Sequence, residues 1–262
     1  MKKLSDEEIQ QICNLYKTFG SLREVVKRSL KSTGTVHKYL SLNSLIKSLN
    51  IIKSLITDDE RLIGVYIGLW LGDGTQYKDR GRNTIKICSN KEDVKLNKFI
   101  RAVILKIFNK KASLFEEKNT KRAYIKLHSK FIFNFIYKYT VFDEKKKTYT
   151  VKLRKRANTY TRNFREGCLL GLALSDGYLK ERFVFSVSSG GLARNMYDIL
   201  MGFGYSPRCC LDRRDKYHNK IIYAIYLSPD DSLRLKAHFD QIIRNIGYKY
   251  SFQELKYGPA QI

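Results

Sequence analysis

The chain has 262 residues, of which 43% are hydrophobic and 13% aromatic, so it can bury a sizeable core and is not a disordered protein. Its 50 Lys and Arg residues outnumber 25 Asp and Glu residues and leave a formal net charge of +25, which favours a polyanionic partner, above all nucleic acid. No apolar run reaches the roughly 18 residues of a membrane-spanning helix. The basic start is followed by Asp6, Glu7 and Glu8 rather than by the apolar stretch of a signal peptide, so we expect a soluble, intracellular protein without a membrane partner.

The cysteines and histidines show no metal-binding pattern. There are five cysteines and four histidines, and no CxxC pair occurs. Structural zinc needs four nitrogen or sulfur ligands at close spacing. We therefore expect reduced, mostly buried thiols and no zinc site.

Residues 5–42 have the pattern of three short amphipathic helices. Ser5 and Glu8 have the spacing of a capping box at the start of the first helix, and Gly20 ends it. A turn at residues 32–34 precedes a basic third helix. This order is typical of a helix-turn-helix DNA-binding module, and the alternative is a helical prefix that only packs on the rest of the chain. We expect this module and a connector to occupy residues 1–58.

From residue 59 onward the chain repeats its pattern of elements. A long apolar segment ends in Asp73-Gly74, and a second one ends in Asp176-Gly177, at an offset of 176 − 73 = 103. The elements that follow each copy also match: strands at 84–89 and 182–188, helices at 91–108 and 190–202, strands at 123–127 and 222–227, and helices beginning near 131 and 233. The sequence therefore predicts a duplicated α+β fold, with subdomains at 59–158 and 159–262.

Each apolar segment carries small residues at helical spacing. Gly68 and Gly72 lie four residues apart in the first segment, as do Gly171 and Ser175 in the second. Small residues at this spacing let two helix backbones approach closely. We expect the two helices to pack against each other about a pseudo-two-fold axis, so that both end at the same place.

This packing brings Asp73 and Asp176 side by side. Two like charges repel, and each lies at a helix C-terminus, where the macrodipole favours cations. A divalent metal ion relieves both problems, and hard carboxylate oxygens suit Mg²⁺. We expect Gly74 and Gly177 to end the helices in the left-handed conformation.

Residues 68–74 (GLWLGDG) and 171–177 (GLALSDG) resemble the two copies of the LAGLIDADG motif of single-chain homing endonucleases. The resemblance covers about residues 60–255 and includes the order of elements. It implies a saddle-shaped αββαββα duplication whose strands line the DNA major groove, with the motif helices over the minor groove. Leu71 and Leu174 depart from the family name at a position that varies and does not bind metal.

The resemblance also implies an activity. The family's last motif acid, here Asp73 and Asp176, binds Mg²⁺ or Mn²⁺ and activates water for hydrolysis of both DNA strands, leaving 3′ overhangs. The carbonyl oxygens of Gly72 and Ser175 would join the metal ligands. A lysine from the end of each half would lie at the edge of the site, and by position we match Lys152 and Lys249. The alternative for these lysines is a phosphate contact or a solvated side chain.

The strand regions are rich in Lys and Arg that alternate with apolar residues, as expected of a sheet with one buried and one DNA-contacting face. The candidate DNA-binding residues are Lys78, Arg80, Arg82, Lys86, Lys121, Arg122 and Lys126 in the first half and Lys180, Arg182, Arg208, Arg213, Arg214 and Lys216 in the second. The expected partner is a long, specific double-stranded site bound by a monomer. Two alternatives stay open: a DNA-binding regulator that does not cut, and a splicing helper that binds its own intron RNA.

Overall fold

The computed structural model describes residues 4–43, 57–79, 81–214 and 221–258. The chain forms two compact units, Met1–Ile56 and Thr57–Ile262. Within the described ranges, no helix combines the length and hydrophobicity needed to cross a membrane.

The first unit contains the three predicted helices, α1 (Asp6–Phe19), α2 (Leu22–Ser29) and α3 (Thr33–Leu42). The capping box between Ser5 and Glu8 is formed, and Gly20 ends α1 in the left-handed region at φ 61°. Ser32 caps α3 through the amide of Thr35, so this helix begins earlier than the sequence predicted. The core of the unit consists of Ile12, Cys13, Val25, Val36 and Leu40.

In the second unit the helix–two strands–helix–two strands–helix order occurs twice, as predicted. The first copy contains α4 (Glu60–Asp73), β1 (Gly74–Asp79), β2 (Arg82–Asn90), α5 (Val94–Phe108), β3 (Ser113–Glu116), β4 (Arg122–His128) and α6 (Lys130–Tyr139). A connecting segment follows, with β5 (Thr140–Val141), α7 (Lys147–Thr150), β6 (Lys152–Leu153) and a 3-10 turn at Ala157–Thr159. The second copy contains α8 (Arg162–Ser175), β7 (Gly177–Leu179), β8 (Phe183–Val187), α9 (Gly190–Gly202), β9 (Arg208–Arg214), β10 (Ile221–Tyr226) and α10 (Pro229–Asn245), and a short α11 (Phe252–Tyr257) follows it.

Each copy folds its strands into a four-stranded antiparallel sheet, with the order β1-β2-β4-β3 in the first and β7-β8-β10-β9 in the second. The two orders are equivalent, so the duplication read from the sequence is present in the topology. Residues alternate between faces, and Ile85 and Ile87 on β2 face the core with Ile125 on β4.

The centre of this unit is the pair of helices α4 and α8, which pack face to face. A Cβ atom added at Gly171 would lie 2.7 Å from the amide nitrogen of Leu69, and one added at Gly68 would lie 2.9 Å from that of Leu172. These reciprocal contacts are closer than a side chain permits. The stripe of small residues therefore lets the two helix backbones approach closely, as predicted. Gly64 and Gly167 extend the stripe toward the N-terminal ends of the two helices.

The opposite ends of these helices are joined by a buried ion pair. Arg61 on α4 donates to Glu166 on α8 at 2.9 Å, and Glu166 is only 7% exposed. Burial acts to raise the pKa of Glu166, but hydrogen bonds from Arg162 and Arg61 outweigh it and lower the pKa. The pair thus ties the two motif helices together at their N-terminal ends.

Candidate active site

The two predicted acids meet where α4 and α8 end. Asp73 is the last residue of α4, and Asp176 directly follows α8. A Cβ atom added at Gly72 would lie 2.8 Å from Oδ2 of Asp176, so the second carboxylate lies against the end of the first helix. The stripe of small residues therefore positions both acids, because it lets the helix ends converge.

The electrostatics of the pair are those of crowded, partly dehydrated acids. Burial, together with the charge of Asp176, raises the pKa of Asp73 to about 7 against the opposing effect of two lysines. Burial likewise raises the pKa of Asp176. Two carboxylates held this way gain from a bound cation.

Lys147 and Lys256 flank the carboxylate pair, one at the end of each motif helix. The Nζ of Lys147 donates to the carbonyl of Leu71 at 2.8 Å and to that of Gly72 at 3.3 Å. The Nζ of Lys256 donates to the carbonyls of Leu174 and Ser175, both at 2.7 Å. The two lysines therefore occupy equivalent places, where the helix macrodipole also favours a positive charge.

Burial lowers the pKa of Lys147 to about 8, although Asp176 and Asp73 oppose the shift. Burial also lowers the pKa of Lys256, against the same two acids. An ammonium with a lowered pKa gives up its proton more readily near neutral pH, which suits a group that exchanges protons with a reacting phosphate or water.

Lys152 and Lys249, which were matched by position in the sequence, do not flank the acids. Lys152 is exposed on β6, where its side chain lies against Gly191 at the start of α9. Lys249 is exposed between α10 and α11. The match failed because the segment between the acid and the lysine differs in length in the two copies. Lys147, at the start of α7, lies 147 − 73 = 74 residues after Asp73, whereas Lys256, in α11, lies 256 − 176 = 80 residues after Asp176.

A sequence signal for Lys256 existed. Ser251 and Glu254 have the spacing of a capping box, and the structure forms it at the start of α11. A short helix after α10 could thus have been predicted, with Lys256 in its last turn. Lys147 has no comparable signal, because α7 spans only Lys147–Thr150.

The glycines after the acids do not adopt the predicted left-handed conformation. Gly74 is extended, with φ −81° and ψ 148°, and Gly177 is not among the described glycines with positive φ. Glycine is required at both positions because a side chain would not fit. A Cβ atom at Gly74 would lie 2.5 Å from Cγ of Trp70, and one at Gly177 would lie 2.7 Å from Cα of Ala173.

The donor atoms at this place fit a hard divalent cation. Among the described residues, no cluster of three or more His, Cys, Asp or Glu side chains could hold a metal ion. The oxygen donors are instead the two carboxylates and the carbonyls of Gly72 and Ser175, beside a cleft of about 470 Å³ lined by Asp73, Asp176 and Lys147. Mg²⁺ and Mn²⁺ accept such oxygens and keep coordination positions for water and phosphate.

The raised pKa of Asp73 predicts a pH-dependent cost to stability when no metal is bound. A carboxyl whose folded-state pKa exceeds its ordinary value of 3.8 holds its proton better in the folded state, so its contribution to stability falls as the pH rises from 3.8 to about 7. With a chelator present, we expect Asp73→Asn to be more stable than the wild type at neutral pH, by on the order of 2 kcal/mol, and the difference to shrink toward pH ~4. Urea unfolding at both pH values measures it. If the difference in stability between Asp73→Asn and the wild type did not vary with pH, the raised pKa of Asp73 would be contradicted.

The outward face of the first sheet carries a row of polar residues that crosses all four strands. Lys86 on β2 opposes Thr75 on β1 and Lys126 on β4, and Lys126 opposes Ser113 on β3. Two lysines directly opposite each other destabilise a sheet unless an anion lies over them. The Nζ of Lys86 lies 5.0 Å and 5.1 Å from the ring centroids of Tyr77 and Tyr124, which hold it between them.

The other basic residues predicted to bind DNA lie mainly at strand ends and turns. In the first half, Lys78, Arg82 and Arg122 are exposed, and exposed Lys121 pairs with Glu92 at 3.1 Å. In the second half, Lys180, Arg182 and Arg208 are exposed near the ends of β7, β8 and β9. Arg213 and Arg214 lie in β9, but their side chains are outside the described set, as are Arg80 and Lys216 altogether.

No protein-family profile matches the chain, and no curated protein matches its sequence. Solved structures do resemble it. Mesophilic variants of the homing endonuclease I-DmoI have 17% sequence identity and a TM-score of 0.52, with 70% of this chain and 92% of that chain covered. I-DmoI in complex with DNA and Mn has 17% identity and a TM-score of 0.52, covering 69% and 97%, and the complex with DNA and Ca has 17% and 0.53, covering 70% and 92%. The chain has the α+β fold of the LAGLIDADG homing endonucleases, as its two motifs predicted.

Proposed function

We propose that the chain is a site-specific double-strand DNA endonuclease that hydrolyses phosphodiester bonds with Mg²⁺ or Mn²⁺ held between Asp73 and Asp176. The observation that carries the proposal is the meeting of these two half-buried acids, each with raised pKa, at the paired ends of α4 and α8. Burying two like charges together is costly, and a metal site explains the arrangement.

In this proposal Asp73 and Asp176 hold the metal, with the carbonyl oxygens of Gly72 and Ser175 as further ligands. The bound metal would lower the pKa of water and neutralise charge on the phosphate. Lys147 and Lys256 lie one on each side of the acids, so each can donate a hydrogen bond to a phosphate oxygen as negative charge develops on it. The paired arrangement suits one cut on each strand, and the resemblance to the LAGLIDADG motifs implies that the ends are staggered with 3′ overhangs.

The target duplex would lie on the outward faces of the two sheets. The opposed lysines Lys86 and Lys126 give the first sheet a surface that favours phosphates or guanine edges. The structural neighbours include a homing endonuclease bound to DNA with Mn or Ca, which supports the same partner and a divalent cofactor here. The first unit would add contacts through α3, whose His37 and Lys38 follow the turn after α2.

The competing proposal is a DNA-binding regulator that keeps the fold without cutting. A pure binder gains nothing from two partly dehydrated carboxylates at the paired ends of α4 and α8, since they weaken both folding and DNA binding without a metal. The acid pair therefore favours the endonuclease.

A cleavage selection tests the proposed function. The full chain is incubated with a randomised duplex library and Mg²⁺, and the ends produced are sequenced. We expect unique staggered ends at one long sequence. Duplex binding without a cut, in Mg²⁺ and in Mn²⁺ alike, would favour the regulator.

The lysine positions give a sharper prediction. Lys147→Met and Lys256→Met keep the aliphatic stem but remove the ammonium, and we expect each to slow cleavage about 10²-fold with little loss of DNA binding. Exposed Lys152→Met and Lys249→Met remove the same charge elsewhere and serve as matched controls. Single-turnover cleavage rates measure the effect. Equal losses of cleavage rate in Lys147→Met and Lys152→Met would show that only the net charge of the protein matters.

A further inference from the structure

A basic groove lies on the helical side of the second copy. Its volume is about 850 Å³, and it is bounded by the connecting segment 152–158 on one side and by α9 on the other. Lys152, Lys155 and Arg156 line it from the segment, and Arg194, Asp198 and Met201 line it from the helix. The proposed endonuclease site does not use this groove.

The groove lies on the face of α9 opposite the one that packs toward the second sheet. On α9 its lining residues include Gly191, Arg194, Asp198 and Gly202, which share one face of a helix because they recur every three or four residues. The residues of α9 buried in the core lie on the opposite face: Leu192, Ala193, Met196, Ile199 and Leu200. Since α9 packs its buried face toward β8 and β10, a molecule in the groove and a duplex on the sheet would not compete for space.

The wall of the groove is held in place by buried contacts. Ser189 Oγ donates to the carbonyl of Val151 at 2.6 Å, and the side-chain oxygen of Asn195 accepts from the amide of Leu153 at 2.8 Å. Ala157 is fully buried. The connecting segment is therefore anchored on α9 at both ends, and its basic side chains project from a fixed backbone.

Most of the groove's positive charge has no acidic partner. Among the described residues that line the groove, Asp198 is the one acid, and it already pairs with Arg194 at 3.0 Å. Arg154 donates to the carbonyls of Tyr137 and Thr140, so it braces the segment. In the described part of the chain no carboxylate forms a salt bridge with Lys152, Lys155 or Arg156, all of which are exposed. Three unpaired cations that project from one anchored backbone segment favour a ligand with repeated negative charge.

A single nucleic-acid strand fits these features better than a duplex. Strands bind in positively charged grooves that follow the backbone, whereas a duplex is read by elements that protrude into its own grooves. We propose that the basic groove binds the phosphodiester backbone of a single nucleic-acid strand, at the same time as the sheets hold duplex DNA. This site is independent of the acid pair and needs no metal.

Two matched triple variants test the proposal in the full chain. The groove variant carries Lys152→Gln, Lys155→Gln and Arg156→Gln, and the sheet variant carries Lys86→Gln, Arg122→Gln and Lys126→Gln, so each removes the same charge. Binding is measured with chelator present, using fluorescent oligo-U RNA, oligo-dT DNA and a mixed-sequence duplex, each about 20 nucleotides long. Thermal unfolding checks that both variants are folded.

We expect the groove variant to bind oligo-U and oligo-dT at least about tenfold more weakly, with its salt slope reduced by about 2, and to bind the duplex normally. The sheet variant should show the reverse pattern. If the wild type binds oligo-U and oligo-dT with equal affinity, the groove recognises the phosphodiester backbone alone. If it binds oligo-U more tightly, the groove also recognises the 2′-hydroxyl. The proposal is overturned if both variants weaken all ligands alike, or if poly-glutamate displaces the strands as well as an unlabelled oligonucleotide does, which would indicate an acidic protein partner.

Discussion

Replacing either Asp73 or Asp176 with asparagine is expected to abolish double-strand cleavage while leaving duplex binding largely intact. Asparagine keeps the size of the side chain, but it loses the charge that a divalent cation requires. A bound metal contributes several kcal/mol to stabilising the reacting phosphate, so we expect the rate to fall by at least about 10³-fold. Cleavage rates and binding affinities on a duplex found by the library selection measure the two effects separately.

Asp230→Asn is the matched control for this pair, because Asp230 is an exposed aspartate in the first turn of α10. Its variant should cut at the wild-type rate. If either active-site variant cut both strands as fast as this control, the paired-acid mechanism would be wrong.

The second large effect is expected on stability. A methyl group added at Gly68 or Gly171 would meet the backbone of the opposite motif helix at 2.9 Å or 2.7 Å, and backbone atoms in a packed helix pair cannot move aside cheaply. We expect Gly68→Ala and Gly171→Ala each to lower the free energy of unfolding by about 3 kcal/mol. In a unit of this size that corresponds to a fall in Tm of roughly 6–12 °C, measurable by thermal unfolding.

Gly202→Ala provides the comparison. Gly202 also lies in a helix of the same unit, but a methyl group there meets only the guanidinium of Arg165, the movable end of a long side chain. This variant should unfold close to the wild-type temperature. Similar losses of stability at Gly202 and Gly171 would mean that the close approach of α4 and α8 is not what requires glycine at position 171.

Much of the fold could be predicted because its determinants are local and repeated. The periodicity of the apolar residues located α9 at residues 190–202, as observed, and the capping box of Ser5 and Glu8 located the start of α1. The repeat at an offset of 103 residues then paired the two motif helices, which placed Asp73 next to Asp176 without knowledge of the structure.

The features that the sequence did not predict depend on contacts between residues far apart in the chain. Lys147 and Lys256 reach the acids because two short helices fold back onto the ends of α4 and α8, and the connecting segments that decide this have no repeat. The ion pair of Arg61 and Glu166 joins residues 105 positions apart. The opposition of Lys86 and Lys126 depends on strand register, which alternating patterns alone do not determine.

The measurement that tests the central claim most directly is Mn²⁺ binding, followed by electron paramagnetic resonance, in the wild type and in the double variant Asp73→Asn/Asp176→Asn, each bound to duplex DNA. Free Mn²⁺ gives a strong signal that is lost when the ion is held by the protein. We predict that the wild-type complex binds Mn²⁺ and that the double variant does not. Equal Mn²⁺ binding by both complexes would show that the carboxylates at the ends of α4 and α8 are not the metal site, and the proposed cleavage mechanism would fall with it.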